Sequence, residues 1–190
     1  MSEPQRASLA LLLQSYAPAD DRESEHRRRM LDLVQSEADP FARTSFAPGH
    51  FTASAFIVAP HEEEILLVFH SKLKKWLQPG GHLDPSDADV FVAARREVLE
   101  ETGVALPADG GVLFDLDVHR IPARPHELAH EHFDVRTLWM SHREELRAGS
   151  DALDVRWHAL AELELEILDE SLGRALRKLR SGKFLPLSRR

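Results

Sequence analysis

The chain has 190 residues, 43% of them hydrophobic, and a formal net charge of −8. That length supports one sizeable core, so one domain with appended elements is expected, and the acidic balance argues against broad electrostatic binding to DNA or RNA. The absence of cysteine excludes disulfides, a catalytic thiol and Cys-ligated zinc or iron–sulfur centres, while no apolar run reaches the ~18 residues of a membrane span and no secretory leader pattern is visible, so a cytoplasmic location without membrane contact is expected.

In chain order, the first segments read helical. Residues 8–16 carry Leu9, Leu11, Leu12 and Leu13 before Pro18 interrupts the pattern. Asp20 or Asp21 can cap a second helix to about residue 37, with Met30, Leu31, Leu33 and Val34 in its later half and Pro40 beyond its end. Strand signals begin at Thr52: residues 52–59 and 64–70 are β-prone runs joined by a turn at 60–63. Lys72, Lys74 and Lys75 then precede Trp76, and a solvated loop is the favoured reading over a cationic rim that meets phosphates. After a helix at 89–102, residues 112–121 and 131–140 read as longer strands separated by a Pro- and His-containing loop, and 154–159 as a shorter one. Residues 161–170 are acidic and amphipathic. Residues 171–180 form a helix with Leu172, Leu176 and Leu179 on one side, and Arg174, Arg177, Lys178 and Arg180 are expected on its solvated face. This order fits a mixed sheet between helical layers, an α/β architecture.

The informative element is the helix at 89–102, in which Val90, Ala93, Ala94, Val98 and Leu99 recur at helical spacing and Gly103 supplies the stop. Glu97 precedes Glu100 by three positions and Glu101 by four, separations that share one helix face. Like charges placed this close repel unless a cation offsets them. An oxygen-rich, thiolate-free set suits a hard ion such as Mg²⁺ or Mn²⁺, which bridges carboxylates to substrate phosphates. Arg96, one turn before Glu100, can hold a carboxylate in place through a charge-assisted hydrogen bond. A solvated Glu-rich helix end is the bland alternative, and the Gly80-Gly81 turn upstream together with the Arg96-Glu97 pair weighs against it.

This stretch resembles the Nudix box. Arg96, Glu97, Val98, Glu100, Glu101, Gly103 and Val104 match its second half without a gap, whereas Gly81 lies one residue too far from Arg96 and Asp87 stands where the box has its first Glu. The 52–58 run, Leu66-Leu67-Val68, Trp76-Leu77-Gln78-Pro79-Gly80-Gly81-His82 and His130-Glu131-His132-Phe133-Asp134 extend the likeness to a bacterial subgroup of the MutT-like Nudix hydrolase superfamily. The resemblance implies a Nudix α/β/α sandwich over 46–185 with an N-terminal helical extension at 1–45, which is expected to pad the domain, with cover over the active site or a homodimer contact as its other possible uses.

Several site roles follow from the same resemblance. Gly81, Glu97, Glu100 and Glu101 would hold Mg²⁺ or Mn²⁺; Arg96, Glu100 and Glu101 would be catalytic; and the general base would come from Glu100, Glu101 or Glu131. The expected reaction is hydrolysis of a diphosphate linkage in a small phosphorylated substrate such as a nucleotide derivative. A non-hydrolytic isomerase, disfavoured by the missing cysteine, and a ligand-sensing domain are the alternatives.

His130 and His132 are two apart, so on a strand they share a side with Asp134. With His82 or His119 they could contact substrate, bind a second metal or shuttle a proton. Substrate contact by His82, His130 and His132 is the favoured reading. Trp76, beside the glycine turn, is a candidate to stack on a base, and Phe133 reads as core.

Overall fold

Strand β1 (Gly49–Ala59) is buried from end to end, which requires cover on both faces of the sheet to which it belongs. The computed structural model describes residues 3–36, 39–61, 63–125, 127–149, 152–164 and 168–181. Around β1 stand α1 (Glu3–Ser15), α2 (Asp21–Gln35), β2 (Glu64–His70), β3 (Trp76–Leu77), β4 (Gly80–His82), α3 (Val90–Thr102), β5 (Val112–Ile121), β6 (His130–Met140), β7 (Ala152–Ala159) and α4 (Glu170–Arg180). Strand β1 runs parallel to β6 along its length and antiparallel to β4 at its start and β2 at its end. Strand β5 lies antiparallel to β6 at one edge, while β3 and β7 both pair with β2.

Alternation along β1 sorts the two layers. Phe51, Ala53, Ala55 and Ile57 meet Leu9, Leu13, Met30 and Leu33 of α1 and α2 and Ala93, Ala94 and Val98 of α3. Phe56 and Val58 point the other way and join Ile65, Leu67, Phe114 and Leu138 beneath Leu172, Leu176 and Leu179 of α4. The result is an α/β/α sandwich with a mixed sheet. Each fully buried leucine or phenylalanine in these layers contributes about 1.5–3 kcal/mol. The N-terminal helices share the larger cluster with the sheet and α3.

Local chemistry sets the helix ends. Asp20 caps α2 by accepting from the Glu23 N–H at 2.8 Å, and Asp89 caps α3 by accepting from Phe91 and Val92 at 2.8 and 2.9 Å. Helix α3 stops at Gly103, whose φ of +77° is a left-handed conformation that side-chain-bearing residues avoid.

Several sequence expectations are revised. Strand β1 starts at Gly49 rather than Thr52, and two short strands, β3 and β4, flank the Gln78-Pro79 turn. Leu99 is 52% exposed because the buried stripe of α3 runs through Val90, Ala93, Ala94, Val98 and Thr102. Arg174 and Lys178 are not solvated: their side chains are only 10% and 7% exposed, drawn inward by carboxylates of the sheet and of α2. The 161–170 stretch begins with a turn, and residues 165–167, like the expected domain end at 185 and the second-helix end at 37, lie outside the described residues.

Candidate functional site

The turn between β3 and β4 brings the backbone of Gly80 and Gly81 against α3. The Gly80 N–H donates to Glu101 Oε2 at 3.1 Å. A Cβ built on Gly81 would lie 2.7 Å from the carboxylate atoms of Glu97, so a side chain there would displace that carboxylate from its present position. Arg96 sits at the centre of the arrangement. Its guanidinium donates to both oxygens of Asp87 at 3.2 and 2.8 Å, to the His82 carbonyl at 2.9 Å and to Glu97 Oε1 at 2.8 Å, with Glu100 Oε2 3.5 Å away. Asp87 is 2% exposed and also accepts from the Asp84 N–H at 2.8 Å. The extra residue between Gly81 and Arg96 is therefore absorbed before Asp89, and the shorter Asp still reaches the guanidinium. Asp87 first among several carboxylates raises the Arg96 pKa further, so its positive charge is permanent. Burial pushes the Glu97 carboxyl up from its usual range, Arg96 opposes this, and the negative charges of Glu100 and Asp87 add to it.

The three glutamates share the α3 face that borders a cleft of about 670 Å³. Their carboxylate oxygens do not all close to within 4.8 Å of one another: each turns to its own surroundings, Glu97 to Arg96, Glu101 to Gly80 and Glu100 outward with 58% of its side chain exposed. Oxygen-only donors on one rim, with the Gly81 backbone open beside them, fit a hard divalent ion. The rest of the cleft is lined by Thr52, Ser54, Gln78, His82, His119, His132 and Asp134, with Arg43, Lys72 and Arg124 supplying positive charge. Asp134 forms part of its floor, accepting from Thr52 at 3.1 Å, Ser54 at 2.8 Å and Arg136 at 2.9 Å.

A second cluster adjoins this cleft. Strand register sets His50, His132 and His119 side by side across β1, β6 and β5, and His130 lies two residues before His132. The rings of His50 lie 4.9 Å from those of both His130 and His132, and 5.1 Å from that of His82. Burial, then the neighbouring imidazoles, depress these rings: His132 falls from 6.5 to about 2 and His82 to about 4, and His50 is lowered as well. They are neutral near pH 7.

Among the expected site residues, the structure brings Arg96, Glu97, Glu100, Glu101, Gly81, His82 and His132 to one cleft. His130 lies beneath it, 3% exposed. Trp76 lies elsewhere, its ring packed on Phe69, on His158 at 4.5 Å and under the Arg156 guanidinium. Glu131 points to the opposite sheet face from His130 and His132 and pairs with Arg29 of α2. Lys72 lines the cleft whereas Lys75 pairs with Asp169 at 3.3 Å. Sequence reasoning missed His50, although its two-residue spacing from Thr52 and Ser54 on the same strand carries the signal once β1 is extended to Gly49.

Comparison with known proteins agrees with the geometry. A family model described as the NUDIX domain matches residues 48–179. A Bacillus subtilis (strain 168) protein named "Putative 8-oxo-dGTP diphosphatase" is 43% identical over 65 residues, 33% of this chain and 43% of that protein, so the match spans less than half the length of that relative. The MutT NUDIX hydrolase from Burkholderia pseudomallei superposes with a TM-score of 0.54 at 26% identity, covering 68% of this chain and 96% of the other. The NUDIX domain of Shewanella oneidensis NrtR, crystallised with ADP ribose, gives a TM-score of 0.56 at 20% identity over 70% of this chain and 86% of that one, a likeness of fold. With the family match spanning more than half of the sequence and the sandwich, glycine turn and glutamate helix all in place, the chain belongs to the Nudix family.

Proposed function

We propose that the protein is a metal-dependent pyrophosphohydrolase that cleaves a diphosphate linkage in a nucleotide derivative. The observation that carries this reading is a single cleft lined both by Gly80, Gly81, Glu97, Glu100 and Glu101 and by Arg43, Lys72 and Arg124. Carboxylates for a cation and cations for phosphates line the same cleft. The names of the relatives, one a diphosphatase and one a domain bound to ADP ribose, point to the same substrate class. A cytoplasmic location, where such nucleotides occur, accompanies the reading.

Glu97, Glu100 and Glu101, with the Gly81 backbone, would hold Mg²⁺ or Mn²⁺. When bound, such an ion neutralises phosphate charge and lowers the pKa of the water it binds. The protein's own groups do the positioning. Arg96 spans Asp87 and Glu97, which fixes the helix face on which the glutamates stand. Lys72, Arg43 and Arg124 would take the non-reacting phosphate oxygens, and His82 and His132 on the cleft wall would contact the substrate. Glu131 is engaged by Arg29, so Glu100 or Glu101 would accept the proton of the attacking water.

The test is a panel of nucleoside triphosphates, dinucleoside polyphosphates, nucleotide sugars and dinucleotide cofactors, assayed with Mg²⁺ or Mn²⁺ and read by product mass. Cleavage at a phosphoanhydride is expected, with a fall of roughly 10²–10⁴-fold in Glu100→Gln or Glu101→Gln. Turnover that ignores chelator, or binding without cleavage across the whole panel, would contradict it.

A further inference from the structure

We infer a second metal site, of the zinc class, formed by the imidazoles of His50, His130 and His132. Among the described residues these are the one set of at least three His, Asp or Glu side chains whose ligand atoms all lie within 4.8 Å of one another. His50 is fully buried and His130 is 3% exposed. The Nε2 atoms of His50, His130 and His132, and that of neighbouring His82, are buried without a hydrogen-bond partner. Buried polar atoms are nearly always satisfied, so this concentration of orphan nitrogens in one place calls for a ligand.

The tautomers decide which kind of ligand. His50 Nδ1 lies 3.0 Å from the Ser45 carbonyl and His130 Nδ1 2.7 Å from the Leu128 carbonyl. A carbonyl can only accept, so each Nδ1 carries its hydrogen and the neutral ring presents a lone pair at Nε2. Inward lone pairs repel a phosphate oxygen and attract a cation. A backbone carbonyl orienting the far nitrogen of a ligating imidazole is the usual support for a metal. Glu127 strengthens the case: its Oε1 stands 3.4 Å from His130 Nε2, and a carboxylate facing a lone pair at that distance is reconciled by a cation. Nitrogen donors without thiolate select zinc or a similar first-row ion over magnesium. In tetrahedral zinc the ligand nitrogens sit about 3.3 Å apart, so small ring rotations complete the closure.

The site is separate from the glutamate helix in residues and donor chemistry, and it does not depend on the hydrolase reading. It adjoins the same cleft, because His132 and Glu127 line it.

The experiment uses the full chain stripped with chelator and then supplied with excess Mg²⁺ to occupy the carboxylates, followed by calorimetric titration with Zn²⁺ and visible absorption with Co²⁺. Binding of one equivalent, with tetrahedral Co²⁺ bands, is expected. Loss of an outer-shell partner commonly weakens a site by about 10–100-fold, so His50→Gln and His132→Gln should each weaken zinc binding by at least about 100-fold, while Glu97→Gln leaves it unchanged. Because His50 is buried and its variant could unfold, ¹⁵N-histidine spectra of the unmodified protein provide a second readout: Zn²⁺ should shift Nε2 of His50, His130 and His132 and leave Nδ1 of His50 and His130 protonated. No Zn²⁺ uptake in the presence of Mg²⁺, uptake abolished by Glu97→Gln but kept in His132→Gln, or a proton on His130 Nε2 paired to Glu127 would overturn the assignment.

Discussion

At the scale of single residues, the site depends on one missing methyl group and one buried aspartate. Gly81→Ala would push a Cβ into the end of a flexible Glu97 side chain, which can move aside cheaply. Its melting temperature should stay within a few degrees of wild type while metal-dependent turnover drops at least tenfold; an equal loss of both would mean Gly81 serves folding rather than the site. Asp87→Ala removes the double acceptor of Arg96, so turnover should fall although Asp87 itself is buried away from substrate. The histidines predict a pH effect whose sign follows from burial. The unfolded chain takes up a proton on His82 and His132 near 6.5, whereas the folded chain resists until about 4 and about 2. Their contribution is intact above 6.5 and is lost as pH falls below it, because the unfolded state then binds more protons. In chelator, urea midpoints should fall more steeply from about pH 7 to about pH 5 in wild type than in the His82→Gln/His132→Gln variant. Parallel slopes would contradict the buried, neutral assignment.

At the scale of elements, α4 is fastened to the sheet edge by charge as well as by leucine. Asp115 is fully buried and receives Arg174 through both its oxygens at 2.7 Å, with Arg136 at 3.2 Å and Lys178 at 3.5 Å. Lys178 also reaches Glu23 of α2 at 2.6 Å, and the Tyr16 hydroxyl donates to the Phe114 carbonyl, tying the N-terminal helices to the same edge. Burial alone would raise the Asp115 and Asp117 carboxyls, but the Arg136 charge holds both below their usual range. Asp115→Asn leaves three cations without their shared anion and should destabilise by about 3–5 kcal/mol in urea denaturation. Arg28→Ala, which loses exposed pairs to Glu25 and Asp32 on α2, should leave the urea midpoint essentially where it is in wild type. These elements also mark where sequence reading stops. The amphipathic leucines of α4 are visible from spacing alone, but Arg174 meets a carboxylate 59 positions away, and a cationic helix face looks solvated until that partner is placed.

At the scale of the whole molecule, one sheet face changes character along its length. Its β1 and β6 side chains run from His50 and His132 through Ser54, Asp134 and Arg136 to Phe56 and Leu138, so the imidazoles, the polar floor and the apolar seat of α4 follow in sequence. The glutamate helix packs its apolar stripe on the other face and presents its acidic side at the cleft through the β4 turn. Glu97, Glu100, Glu101 and Arg96 are legible in the sequence because helical spacing is local. The meeting of His50 with His132 is not, since it depends on parallel pairing between strands far apart in the chain. Nor is the placement of Trp76, adjacent to the glycine turn in sequence yet turned toward Phe69 and His158.

The most direct test of the central claim is anomalous diffraction from crystals soaked in Mn²⁺ with a nonhydrolysable nucleoside diphosphate analogue. A peak between the carboxylates of Glu97, Glu100 and Glu101 and the Gly81 backbone, touching the analogue's phosphates, is the predicted result. Bound analogue with no manganese at those carboxylates would contradict it.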